Sequence, residues 1–415
     1  MKYLYDFMSW LVLLAVIIIP SADTAAVILP WSELQVKRQV EPVSVSPVPD
    51  HFTPHAPPLN WIGLGDSYTA SPGTGEDLHV GCARNVGSYV VQLENDFPFT
   101  ETNDVDFIAC SGYVANDVLE KTIPDIKQDS ADFMVMSLGG NDIGFSKIAI
   151  YCLITQYIIT SSCQKVIQEA QNQLESVQLQ NNIHSVYDRL FDKMKDDRHY
   201  QLYHIFYSRF FDATDPWCDS QTFRDDPIGK ITGIKLTKSR RQLLNDLTDA
   251  LNARLEEIAV NYIRLKVGRA SWAKASRLIT INPDKISTAD GTGTYGLFDG
   301  HRFCEPGVRS LENDNVWFFG VLDHEDAAVA PAGTVATQRT KRDEMIRREQ
   351  IEEAGRLMHE ARANNNGSDE DDAIPFPLPP QPESLIQSFH PKTKGMTAVK
   401  SLMQTVLQRE RPAEK

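Results

Sequence analysis

The 415-residue chain carries a formal charge of -15, from 56 acidic against 41 basic side chains. That balance excludes a phosphate-backbone partner, because nucleic acid requires a basic surface, and it disfavours docking to anionic lipid. The six cysteines (Cys82, Cys110, Cys152, Cys163, Cys218 and Cys304) are even in number and show no CxxC or His-x-x-x-His spacing, which favours disulfides in an oxidising compartment over a metal centre. Their spacing alone does not say which pairs with which.

The chain opens with Lys2 and a nearly unbroken apolar run from Trp10 to Ile19, followed by the small residues of Pro20 to Ala26. This reads as a secretory signal peptide, residues 1–26, cleaved after Ala26. The run is too short for a membrane anchor, which needs about 20 apolar residues. Residues 27–58 read as an extended linker or pro-segment, rich in Pro, Ser and Val, with the dibasic pair Lys37-Arg38 as a candidate processing site.

From Leu59 onward, strand-like and helix-like patterns alternate. Short apolar runs at Trp61 to Leu64, Val105 to Ala109, Phe133 to Leu138, Leu202 to Tyr207 and Leu278 to Ile281 have the composition of strands buried on both faces. Helical spacing is expected over Val86 to Leu93, Gln164 to Leu190 and Ser239 to Tyr262, and an amphipathic run closes the chain from Met396 to Leu407. Alternation of this kind predicts a parallel sheet with helices on both sides, in a single domain over 59–410. A charged, then acidic, then Pro-rich stretch at about 340–383 interrupts it and is expected to be a mobile surface insertion, either a solvated loop or a lid. Asn366-Gly367-Ser368 within it is a glycosylation sequon.

Candidate chemistry gathers at the ends of the first three strands. Gly65-Asp66-Ser67-Tyr68 follows the first, and a Ser at the carboxyl edge of a parallel sheet sits where such sheets bind ligands. The competing reading is a polar turn capping the next helix. Ala109-Cys110-Ser111-Gly112-Tyr113 follows the second strand, with Gly112 able to aim a backbone N–H. Leu138-Gly139-Gly140-Asn141-Asp142 follows the third, with the Asn141 amide as a neutral donor. Near the C-terminus, Ser388-Phe389-His390-Pro391 offers a base whose ordinary pKa lies near neutrality. The apolar segment Ile148 to Ile154 is a candidate acyl-chain wall, and Tyr151, Tyr157 and Trp217 line either a pocket or the core.

In this order, Gly65-Asp66-Ser67-Tyr68, Gly112, Gly140-Asn141-Asp142 and Phe389-His390-Pro391 resemble the four blocks of the SGNH, or GDSL, hydrolases. Ala109-Cys110-Ser111-Gly112 and Asp299-Gly300-His301-Arg302-Phe303-Cys304 resemble the secreted esterase branch of that superfamily known from Streptomyces. The resemblance implies a three-layer α/β/α sandwich with a flavodoxin-like five-stranded parallel sheet. It implies disulfides Cys82–Cys110, Cys152–Cys163 and Cys218–Cys304. It also implies Ser67 as nucleophile, His390 as base, and an oxyanion hole made by the backbone N–H groups of Ser67 and Gly112 and the side chain of Asn141.

Where most of the superfamily has an Asp three residues before the His, this chain has Gln387. The branch resembled uses a backbone carbonyl there, so the Gln387 carbonyl is the expected orienting group. His301 is the rival base, but Asp299 lies two residues before it and Cys304 ties the segment structurally. The expected activity is a secreted serine carboxylester hydrolase on a lipid, acetylated glycan or small ester. No cofactor or metal is expected, and the chain is expected to be a monomer without a transmembrane segment. A lipase or phospholipase, an acyltransferase through the same acyl-enzyme and a binding protein on a dead scaffold are the alternatives.

Overall fold

The computed structural model describes residues 60–96, 104–154, 160–194, 201–223, 233–266, 277–288, 291–321, 356 and 386–410. The expected signal peptide, the linker with Lys37-Arg38, Tyr157, and the insertion with Asn366 (Arg356 apart) lie outside the described residues.

Five strands form one sheet: β1 (Asn60–Gly65), β2 (Asp104–Phe107), β3 (Phe133–Ser137), β4 (Gln201–Ile205) and β5 (Leu278–Ile281). Their spatial order is β2-β1-β3-β4-β5, and every neighbouring pair is parallel. All residues of β3 and of β4 are buried, as expected of central strands covered on both faces. Trp61 of β1 stacks on Phe133 of β3 with ring centres 5.2 Å apart, fixing the centre of the sheet. The order reverses at β1, so β2 lies on one side of it and β3 on the other. In open α/β sheets the ligand crevice opens at such a reversal, beyond the carboxyl ends of the strands.

The helices are α1 (Ser67–Ala70), α2 (Tyr89–Glu94), α3 (Phe145–Ala149), α4 (Thr160–Glu175), α5 (Val177–Lys193), α6 (Lys238–Lys266) and α7 (Thr393–Glu410). They flank the sheet in an α/β/α arrangement, with α2 against α7 and α5 against α6. One expected element divides: the helix foreseen over Gln164 to Leu190 breaks at Ser176, which adopts an extended backbone and caps α5 by accepting the Leu179 N–H at 3.1 Å. The apolar spacing is carried across the break by Val177, which is exposed as the first residue of α5, so periodicity alone does not reveal it. The expected Val86 to Leu93 helix begins only at Tyr89, because Ser88 accepts the Val90 N–H as its cap.

Three disulfides join Cys82 to Cys110, Cys152 to Cys163 and Cys218 to Cys304. The first ties the loop following α1 to the end of β2. The second ties the Ile150–Ile154 turn to α4.

Candidate active site

Gly65 ends β1 with φ +106°, and a Cβ there would lie 2.0 Å from the Ser137 carbonyl oxygen, so only glycine allows this turn. Asp66 follows, its N–H bonded to Ser137 O at 2.9 Å. Its Oδ1 caps α1 by accepting the Tyr68 N–H at 3.0 Å and also accepts the Ser137 hydroxyl at 2.6 Å, while the Tyr207 hydroxyl donates to Oδ2. Burial raises the Asp66 carboxyl above its usual range, and these three donors oppose the shift. The capping role and the nucleophile reading therefore coexist: Asp66 is the cap, and Ser67 is the first residue of the helix it starts. Thr69 completes the turn, accepting the Ser137 N–H at 3.0 Å and sharing hydrogen bonds with the Tyr89 and Ser137 hydroxyls.

His390 Nε2 lies 2.6 Å from Ser67 Oγ. Its Nδ1 lies 3.1 Å from the Ser388 carbonyl oxygen, which can only accept, so Nδ1 carries the proton and Nε2 is left free to accept from the serine. The Gln387 carbonyl, the expected orienting group, accepts the His390 backbone N–H at 3.1 Å and also acts on the imidazole, and the Ser388 carbonyl joins it at Nδ1. Phe389 between them has φ +64°. The Gln387 side chain packs over the loop at Gly73, where an added Cβ would come within 2.7 Å of its Oε1.

A second strand of chain clamps the base. Phe319 donates its N–H to His390 O at 2.9 Å, Phe389 donates to Phe319 O at 2.8 Å, and Lys392 donates to Trp317 O at 2.8 Å. Burial pushes the imidazole down to about 4, with the Gln387 and Ser388 carbonyls pulling the other way. His301 stands apart from this arrangement, its ring stacked 3.5 Å over Trp317 and its Nδ1 bonded to Asn315 O at 3.0 Å.

Because β2 and β3 both neighbour β1, the Gly112 and Asn141 turns flank Ser67. Gly112 has φ +84°, which turns its peptide freely. Asn141 donates Nδ2–H to Tyr113 O at 3.1 Å, joining the two turns. Asp142 joins them again, both its carboxylate oxygens accepting the Ala115 N–H at 3.1 and 3.2 Å, and burial pushes its carboxyl up to about 6. Tyr207, which sequence reasoning missed as a site residue, bridges Asp66 and the Gly140 N–H, the latter at 2.8 Å. Its one sequence signal is its place at the end of the fourth strand-like run, level with the other site turns.

Beside the Ser67–His390 pair a cleft runs between α3 and α6, about 540 Å³ of space when the open solvent at its mouth is included. Phe145, Ile148 and Leu153 wall one side, Leu247 and Leu251 the other, and Tyr207 and Phe389 stand at the end near the pair. Part of the expected acyl wall thus faces this cavity. Tyr151 is buried, and the Trp217 ring lies under the Arg309 guanidinium. Among the described residues no cluster of His, Cys, Asp or Glu could hold a metal ion, and no helix is long and apolar enough to cross a membrane.

No curated protein matches the chain. Among solved structures it is similar to a phospholipase A1 from Streptomyces albidoflavus, at 18% identity over 84% of this chain and 99% of that one, with a TM-score of 0.48. It is also similar to an extracellular lipase from Streptomyces rimosus, at 18% identity over 84% of this chain and 98% of that one, TM-score 0.48. A family 3 carbohydrate esterase from Clostridium thermocellum matches at 14% identity over 57% of this chain and 87% of that one, TM-score 0.28. Residues 64–264 match the GDSL-like Lipase/Acylhydrolase family, a span that takes in the Ser67, Gly112 and Asn141 turns, the end of β1 and all of β2, β3 and β4, but not His390. Over that span the chain is similar to the GDSL-like lipase/acylhydrolases, the SGNH hydrolases, and the match supports a hydrolase of ester bonds.

Proposed function

We propose that the protein is a secreted serine carboxylester hydrolase that acts through an acyl-enzyme on Ser67 and takes esters with an extended acyl chain. The observation that carries this is the 2.6 Å approach of His390 Nε2 to Ser67 Oγ at the topological reversal of the sheet. Nε2 takes the hydroxyl proton as Oγ attacks the ester carbonyl, and returns it to the leaving alkoxide as the tetrahedral intermediate collapses. Water then repeats the sequence against the acyl-enzyme, regenerating Ser67 and releasing the acid. The Ser67 and Gly112 N–H groups and the Asn141 amide stabilise the oxyanion at each attack. With no carboxylate on Nδ1, the Ser388 carbonyl holds the tautomer and its dipole stabilises the imidazolium as it forms.

The apolar cavity supports the acyl preference. Its walls are mainly apolar and give a sugar few polar partners: the Thr248 hydroxyl already donates to Leu244 O, and Tyr207 is paired to Asp66 and Gly140. A hydrocarbon chain placed there gains about 0.8 kcal/mol for each methylene buried. Three disulfides and the apolar leader support secretion.

The test is a series of p-nitrophenyl esters from acetate to palmitate, with acetylated xylan and a phosphatidylcholine, on wild type and Ser67→Ala. Activity should rise from acetate toward medium chains and vanish in Ser67→Ala. Undiminished turnover in the variant sinks the mechanism, and a preference for acetate or xylan sinks the substrate reading.

A further inference from the structure

Tyr207 is a buried residue just beyond β4, outside the donors and nucleophile that make up the proposed mechanism. Its hydroxyl does two things at once. It donates to Asp66 Oδ2 in the nucleophile turn, and it accepts the N–H of Gly140, the residue directly before Asn141. The fit around it is close: a Cβ at Gly140 would lie 3.0 Å from Tyr207 Cζ, so the turn rests on the phenol ring. Its ring also meets that of Tyr68 edge-on at 4.8 Å, and the Tyr68 hydroxyl in turn donates to Phe389 O at 3.3 Å, beside the base.

We infer that Tyr207 is a positioning residue, which locks the Asn141 donor in register with Ser67 by hydrogen-bonding the turns that carry each. The inference rests on the proposed oxyanion role of Asn141. A donor displaced by about 1 Å loses much of its effect on the developing charge, since such charge stabilisation depends on preorganised geometry. Burial raises the Tyr207 phenol well above its ordinary range, so it stays protonated and keeps the one proton that Asp66 accepts.

The test is a double-mutant cycle of Tyr207→Phe and Asn141→Ala, read as kcat and KM on p-nitrophenyl butyrate, with thermal unfolding recorded for each variant. Asn141→Ala should lower kcat by roughly 10²-fold to 10³-fold, the usual cost of one oxyanion donor. Tyr207→Phe should lower kcat by at least about tenfold with KM within about twofold, and add less than about threefold in the Asn141→Ala background. Tyr262→Phe, which removes a hydroxyl bonded to Asp188 away from both turns, is the control: it should shift the unfolding midpoint and leave kcat alone. Full additivity of the two losses, or an unchanged kcat in Tyr207→Phe, overturns the inference while leaving Asn141 as a donor. Full activity in Asn141→Ala overturns both this inference and the oxyanion assignment.

Discussion

The nucleophile turn and the base segment are held by opposite means. Around Ser67 the fixing groups are mainly side chains: the Asp66 carboxylate, the Thr69, Ser137 and Tyr89 hydroxyls, and Tyr207 from just beyond β4. Around His390 they are backbone groups: the Ser388 carbonyl on Nδ1, and the ladder that the 317–319 segment makes with residues 389–392. The difference follows from the sheet. Ser67 lies at the end of β1, where adjacent strands bring three side-chain-rich turns together. His390 arrives on a connection outside the sheet, and a second piece of connection must hold it. A base held by peptide groups needs no carboxylate, which accounts for the Gln at position 387.

The comparison can be broken at several depths. The largest effect should come from the base itself: His390→Ala should cost at least about 10⁴-fold in kcat/KM on a p-nitrophenyl ester, while His301→Ala should stay within a few-fold. The reverse ranking would hand the base to His301. Next comes the packing under the backbone clamp. Phe389 is buried against the rings of Phe223, Phe303 and Phe210, and Phe389→Ala should destabilise the fold by about 3–5 kcal/mol in denaturant unfolding. A cost below about 1 kcal/mol would mean that the clamp does not depend on that aromatic nest.

The side-chain network around Ser67 should give way more gently. Thr69→Ala removes the acceptor of the buried Ser137 N–H and a partner of Tyr89, at about 1–3 kcal/mol. If unfolding is unmoved, the network is not holding the turn. The pH profile separates the two regions without mutation. The base must be neutral to act, and burial puts its folded pKa near 4, below its ordinary value of 6.5. So kcat/KM should hold as pH falls through 6.5 and be lost only on falling through about 4. Asp142, pushed up to about 6, would instead give an acid limb near that pH, which would place control in the donor turns. The smallest effect belongs to Gln387→Ala, expected within about threefold in kcat because the backbone carbonyls survive the change. A loss of several orders of magnitude would show that the amide itself orients the base.

Much of this was legible in the chain. The five sheet strands were readable because strands buried on both faces are continuous apolar runs. Ser67, Gly112, Asn141 and His390 were readable as candidates because their motifs, each weak alone, follow one another in a specific order and three of them stand at strand ends. Two features were not. The break at Ser176 hides inside an apolar spacing that Val177 continues in sequence, although Val177 is exposed and Ser176 is extended and caps α5. Tyr207 hides just beyond an apolar strand, where an aromatic residue is ordinary, and nothing in sequence says that its hydroxyl faces Asp66, 141 residues away.

By itself, the sequence determined the alternation of strands and helices, the residues available as nucleophile, donors and base, and the absence of a carboxylate at position 387. These depend on local composition and spacing, which tertiary context does not change. Tertiary structure alone decided that His390 rather than His301 meets Ser67, that the Ser388 carbonyl holds the ring, that the apolar segment after Asn141 faces a cavity, and that one phenol bridges two turns. Each of these is a meeting of groups distant in sequence or a matter of backbone turn, fixed by strand order and by the left-handed residue at Phe389.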